Sequence, residues 1–241
     1  MDWREEGILI GIRRYGESSV IIEVFFENRG RHLGVVRGGI SKKLTPILQL
    51  GNQLDAHWKA RLEEHLGSFS VDLVKSRASS IMMDRVALSG LSSICGLLNF
   101  SLPERESHSL LYKKTFELLD SIAFKKKWLT DYLSWEITLL EELGFGLNLS
   151  SCVVTGALDN LKYISPKSGG AVSLEAAGDL SKKLLPLPNC LRGFDEGIEG
   201  LIEGLLVTGY FLENKVVASL GQKVIPGSRS RFIELIKKLT I

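Results

Sequence analysis

The sequence predicts an α+β protein: a small five-stranded β-barrel first, then an α-helical domain. Three observations carry this. Over residues 1–75, short β-branched and aromatic runs alternate with turn residues. At "KSRASS" (75–80) the spacing of apolar residues switches from two to three and four, which places the domain boundary there. Beyond it the helical spacing persists, broken by a Gly-, Ser- and Pro-containing insert at 150–178.

The elements follow in order. "GILIGIRR" and "SSVIIEVFF" are strands separated by the turn "YGE", and "ENRGR" turns the chain into a third, "HLGVVRGG". From Leu54, the residues Ala56, Trp58, Ala60 and Leu62 fall on one face while Asp55, His57, Lys59 and Arg61 fall on the other, the alternation of a half-buried antiparallel strand. "LGSFSVDLV" is the fifth run. Five short strands in this length suit a closed barrel of the OB type. Met82, Met83, Val86, Leu91, Ile94, Leu97 and Leu98 then make a helical stripe stopped by Pro103. "ESHSLLYKKTFELLDSIAF" is a second helix, and a third runs from Leu129 through Leu140 to Gly144 and Gly146. Helical spacing returns at Ile198–Leu212 and in the terminal "RSRFIELIKKL".

Composition bounds function less than fold. The chain has 241 residues, 44% of them apolar, with a net charge of +2, so any nucleic-acid surface must come from local segregation of charge. Cys95, Cys152 and Cys190 are too few and too scattered for a disulfide framework, and "MDWREEGILIG" does not read as a signal peptide; both point to the cytoplasm. No phosphate loop, dinucleotide fingerprint, H-E-x-x-H or G-x-S-x-G occurs, so no catalytic residue and no cofactor is predicted.

The basic residues are the informative set. Residues 1–75 hold eleven Lys/Arg against ten Asp/Glu, yet Arg29, Arg31, Arg37, Lys42 and Lys43 follow one another with no acid between them, and Arg13 and Arg14 end the first strand. On a barrel these seven cations would form a stripe that tracks a phosphate backbone. Bases also stack on aromatic rings; Trp58 reads as core, whereas Tyr15, in a turn beside Arg13 and Arg14, is the stacking candidate. "FKKKWL" (124–129) puts three lysines before a helix. Arg229 and Arg231, with Lys237 and Lys238 on the terminal helix, could receive an acidic, apolar peptide tail.

The insert has the spacing of a zinc ribbon, two residues between 152 and 155 and two between 173 and 176, but the four positions are Cys152, Thr155, Ser173 and Ala176. One thiolate is not a structural zinc site, so no metal is predicted, and the insert must hold its shape through Leu161, Tyr163 and Ile164 with a turn at Gly169 and Gly170. Cys152 then reads as a small buried residue.

The chain resembles the RecO family of bacterial recombination mediators over nearly its whole length. "YGESSVIIEVFFENRGRHLGVVRGG" (15–39) and "LQLGNQLDAHWKARLEEHLG" (48–67) carry the resemblance, with "SPKSGGAV", "LLPLPNCLRG" and "PGSRSRFIELI" in matching order. It implies an OB-fold at 1–77, a helical domain at 78–241, and a degenerate zinc-ribbon-like insert at 150–178. It also implies a function without chemistry: binding of single- and double-stranded DNA at the nucleoid, annealing of complementary strands, and, with RecR, help for RecA in displacing single-strand binding protein (SSB), whose C-terminal tail would meet Arg229 and Arg231. The alternative is an adaptor that holds RecR and SSB with little DNA contact of its own.

Overall fold

The computed structural model describes residues 1–62, 64–124, 127–221 and 224–239. By compactness the chain divides into two units, Met1–Lys126 with Pro226–Phe232, and Lys127–Ile225 with Ile233–Ile241.

The first unit is built on a barrel of β1 (Asp2–Tyr15), β2 (Ser19–Phe26), β3 (Gly30–Val36), β4 (Gln53–Lys59) and β5 (Ser68–Lys75), in the order β1-β2-β3-β5-β4 and closed back on β1. One long strand serves two neighbours: Asp2–Ile8 pairs with β4 and Gly7–Tyr15 with β2, and a bulge between Leu9 and Gly11 lets β1 bend from one to the other. The β3–β5 closure is parallel and short, made at Val35 and Ser68. Alternation decides what points inward. Val20, Ile22, Val24 and Phe26 of β2 meet Leu54, Ala56 and Trp58 of β4 in one core, into which Leu48 packs from the β3–β4 connection. Trp58 is core, its Nε1 donating to the carbonyls of Leu33 and Leu66 at 3.3 Å. The predicted continuation to Leu62 does not occur. Strand β4 stops at Lys59, Ala60 is tied to Met1 by backbone bonds, and Leu62 is exposed in the following loop.

The outer face of β2 is apolar as well, and this explains why three helices pack with the barrel: α1 (Ala78–Ile81), α2 (Arg85–Ser101) and α3 (Ser109–Ala123). Phe25 meets the Tyr112 ring of α3 at 5.5 Å, and Asn99 of α2 donates to the Ile10 carbonyl at 2.8 Å. Arg77 is the knot between the layers. Fully buried, it bonds Asp120 of α3 at 2.6 Å and the Gly51 carbonyl at 3.2 Å, and lies over the Phe116 ring at 4.5 Å. Helix α2 begins later than the apolar stripe suggests. Asp84 caps it by accepting from the N–H groups of Val86 and Ala87, a bond set worth ~1 kcal/mol, and Met83 ahead of the cap is 85% exposed.

The second unit opens with α4 (Leu129–Glu142), which ends in a Schellman turn: Gly144 takes φ +82° and the Phe145 N–H returns to the Leu140 carbonyl at 2.8 Å. The insert folds as a small sheet of β6 (Leu161–Ile164), β7 (Ala171–Ser173) and β8 (Leu185–Pro186), with β6 central. Leu161 and Ile164 are buried, and Gly169 turns the chain at φ +71°. After α5 (Leu174–Ala177), helix α6 (Gly197–Phe211) packs on α4, and a π turn at Leu212–Val216 leads into α7 (Val217–Ser219). Glu136 of α4 is fully buried yet bonded, accepting from the Tyr132 hydroxyl at 2.9 Å and the Thr208 hydroxyl of α6 at 2.6 Å. The terminal helix is α8 (Gly227–Lys237).

Candidate nucleic-acid interface

Five strand ends converge at one mouth of the barrel: the end of β1 at Tyr15, the start of β2 at Ser19, the end of β3 at Val35 and Val36, the end of β4 at Lys59 and the start of β5 at Ser68. They enclose a groove of about 440 Å³ walled by Tyr15, Arg37, Lys59, Arg61 and His65. None of its described lining residues is acidic. The nearest pairing is Lys59 with Asp2 at 3.4 Å, an exposed contact that a phosphate would displace at little cost. Tyr15 is 52% exposed, unlike Phe25, Phe26 and Trp58, so it is the barrel ring available for a base. Arg13, two residues before Tyr15 on β1, shares its side of the strand and extends the cationic wall, while Arg14 points to the other side; both are exposed. The chain leaves this same end through Arg37. Its turn at Gly38–Ser41 touches the β1–β2 hairpin through Ile40 N–H to Ser18 carbonyl at 3.5 Å, and Lys42 and Lys43 are exposed just beyond. Among the described residues, Arg13, Arg14, Arg37, Lys42 and Lys43 make no ion pair.

Two of the predicted cations are placed elsewhere. Arg29 and Arg31 lie at the far end of the β2–β3 hairpin, on the order of 20 Å along the strands from the groove. Arg31 bonds Glu23 at 2.7 Å and donates to the Leu102 carbonyl at 3.0 Å, so it fastens the chain after α2 to the barrel. Arg29 sits over the Trp3 ring at 4.6 Å with Glu5 at 3.4 Å. The continuous stripe expected from sequence is therefore broken: Arg37 walls the groove, Arg13, Lys42 and Lys43 lie on segments next to it, Arg14 points away, and Arg29 and Arg31 are already paired with carboxylates.

The terminal helix also differs from expectation. Phe232, Ile233 and Ile236 are buried and Arg229 is only 5% exposed, so the apolar face offered to a peptide tail is consumed by packing; Arg231 remains exposed. Of the 124–129 lysine run, Lys125 and Lys126 lie outside the described residues and Lys127 is exposed before α4.

Lys59, Arg61 and His65 also wall the groove, although the sequence does not single them out. The alternation that sets Lys59 and Arg61 on the face opposite Trp58 is the available signal; the pairing that sets the end of β4 beside the start of β5 is not visible in it.

The four zinc-spaced positions do converge. The Cys152 sulfur accepts the Ser173 N–H at 3.3 Å and a bond from the Thr155 hydroxyl, and Ser173 in turn caps Ala176 at 3.3 Å. These residues do not fit zinc: hydroxyls and a methyl stand where thiolates would be needed. Among the described residues no three His, Cys, Asp or Glu side chains gather. Cys152 is buried as expected, but it is more than a space-filler, because the Thr155 and Ser173 bonds draw its thiol down to about 6. Among the described residues, no helix is long and apolar enough to cross a membrane.

Comparison with known proteins agrees with this architecture. Residues 1–77 match the family model of the recombination protein O N terminus, and residues 82–223 match that of its C terminus. Relatives named DNA repair protein RecO include those of Jannaschia sp. (51% identical over 241 residues, 100% of this chain and 98% of the relative) and Roseobacter denitrificans (52% over 239 residues, 99% of each). That of Dinoroseobacter shibae is 49% identical over 238 residues, again 99% of each.

Proposed function

The chain belongs to the RecO family of DNA repair proteins, and from that premise we propose that it acts as a DNA-binding recombination mediator. The observation that carries the reading is the barrel-mouth groove, where Arg37, Lys59 and Arg61 meet an exposed tyrosine with no carboxylate among the described lining residues. A phosphate backbone laid across this mouth is neutralised by Arg13, Arg37, Lys59 and Arg61, and Tyr15 receives a base. Lys42 and Lys43, on the adjoining turn, extend the positive field to a second strand. Lowering the charge on both strands reduces the repulsion that slows their meeting, which is how binding without chemistry promotes annealing. The rest of the reading, work with RecR to load RecA on SSB-coated single strands, is supported by family membership. Arg231, an exposed cation of α8, is proposed to meet the SSB tail.

The test is a fluorescence-anisotropy titration of the full chain with a labelled single-stranded oligonucleotide at several salt concentrations. Four phosphate contacts give a slope of log K against log salt of roughly −3. Binding that is absent, or indifferent to salt, overturns the proposal in favour of the adaptor reading. That reading has one observation in its favour: Arg29 and Arg31 are already paired with carboxylates.

A further inference from the structure

The second unit holds a socket that the DNA-binding reading does not use. One stripe of α4, running through Leu133 and Ile137, forms one wall; Leu191, Phe194 and Leu201 supply the other apolar lining, with Thr130, Ser134 and Cys190 among them. The space is about 270 Å³, just under the roughly 300–1,000 Å³ of small-molecule sites, and suits one large side chain better than a cofactor. Phe194 at the rim is 61% exposed, an aromatic left in water beside an apolar hollow.

The mouth is acidic, and its acids are fixed. Asp195 accepts the Gly197 N–H at 2.9 Å. Glu196 accepts the Asn189 side-chain N–H at 2.7 Å and the Cys190 N–H at 3.0 Å. All of these donors are neutral, so the bonds hold both carboxylates in place without cancelling their charge. Among residues 189–203, Glu199 and Glu203 add two more carboxylates, and Arg192 is the single cation. An apolar hollow flanked by immobilised carboxylates that make no ion pair among the described residues selects its occupant twice, by burial and by sign.

We propose that this socket docks a partner-protein segment presenting one large apolar side chain between lysines or arginines. An acidic apolar tail is excluded from it by the same two carboxylates. The inference is independent of where DNA binds.

The test uses the full chain and two labelled hexapeptides: Phe-Leu flanked by two lysines on each side, and a twin with aspartates in their place. The lysine peptide is expected to bind with salt-sensitive affinity, and the aspartate twin is expected not to bind. Asp195→Asn with Glu196→Gln removes the charge while leaving one acceptor oxygen at each position; it should weaken the lysine peptide about 10-fold. Phe194→Ala, at an exposed position, should weaken it about 5-fold and distinguishes socket binding from adhesion to acidic surface elsewhere. Failure of the lysine peptide to bind overturns the proposal. So does equal binding of the aspartate twin, or unchanged affinity in both variants.

Discussion

At one end of the β2–β3 hairpin, Arg29 and Arg31 each face a carboxylate, Glu5 and Glu23; at the other end Arg37 faces none among the described residues. The three arginines lie within nine residues of one another in sequence. The difference lies in what surrounds them. The far end is roofed by the chain that follows α2: Gly30 is pressed so close to Glu106 that an added Cβ would stand 1.8 Å from its carbonyl oxygen, and Arg31 donates to the Leu102 carbonyl. A charge under such a roof needs a partner or it destabilises the fold. The mouth has no such roof, so its cations stay hydrated at little cost, and among the described residues Arg37 makes no ion pair. Charge that is uncommitted in the folded chain is charge available to a ligand.

The comparison breaks most visibly if the mouth is reversed. Arg37→Glu with Arg61→Glu should cost about 100-fold in single-strand affinity at low salt and flatten the salt slope by about one per residue. Stability should stay within about 0.5 kcal/mol, since both side chains are exposed. The far end should behave the other way. Arg31→Ala strands Glu23 and leaves the Leu102 carbonyl short of a donor, for a loss of about 2 kcal/mol in urea denaturation with DNA affinity of the folded chain unchanged. If Arg31→Ala instead lowered affinity at full stability, the two ends would not differ in role. Tyr15 sharpens the contrast further. Tyr15→Ala should weaken single-stranded DNA about 10-fold while sparing duplex, whose bases are already stacked, and Tyr15→Phe should restore the single-strand value.

Much of the first unit was legible because strands announce themselves by period two. The alternation through Ala56 and Trp58 identified a core tryptophan correctly, and Tyr15 beside a glycine turn stood out as a ring with nowhere to bury. Partnership between strands was not legible. That Arg31 reaches Glu23 depends on the β2–β3 register, and that Lys59 and Arg61 stand beside Tyr15 depends on barrel closure through a single β3–β5 pairing. Other misses were signals present but outweighed. Asp84 followed by a helical run is an N-cap, yet the apolar Met82 and Met83 drew the helix start forward past it. The socket of the second unit escaped because its walls, Ile137 and Phe194, are nearly sixty residues apart and meet only through tertiary packing.

The closed end offers a last and smaller test, in its response to acid. His32 points into the barrel among Trp3, Phe26 and Trp58, with ring centroids 5.1, 6.2 and 6.0 Å away. Burial, aided by the nearby Arg105 and Arg29 cations, lowers its pKa to about 4. The unfolded chain, whose histidine titrates at the ordinary 6.5, therefore takes up a proton that the folded chain refuses. His32 contributes its full stabilisation above that value and loses it as the pH falls toward about 4, with a slope no steeper than ~1.4 kcal/mol per pH unit. Urea midpoints measured from pH 7 to pH 5 should fall for the natural chain. For His32→Phe, which keeps a ring in the cage, the same profile should be flatter. A natural chain with no slope over that range would mean that protons reach His32 in the native state. The cage would then be open to water, and the two ends of the barrel would differ in ion pairing but not in enclosure.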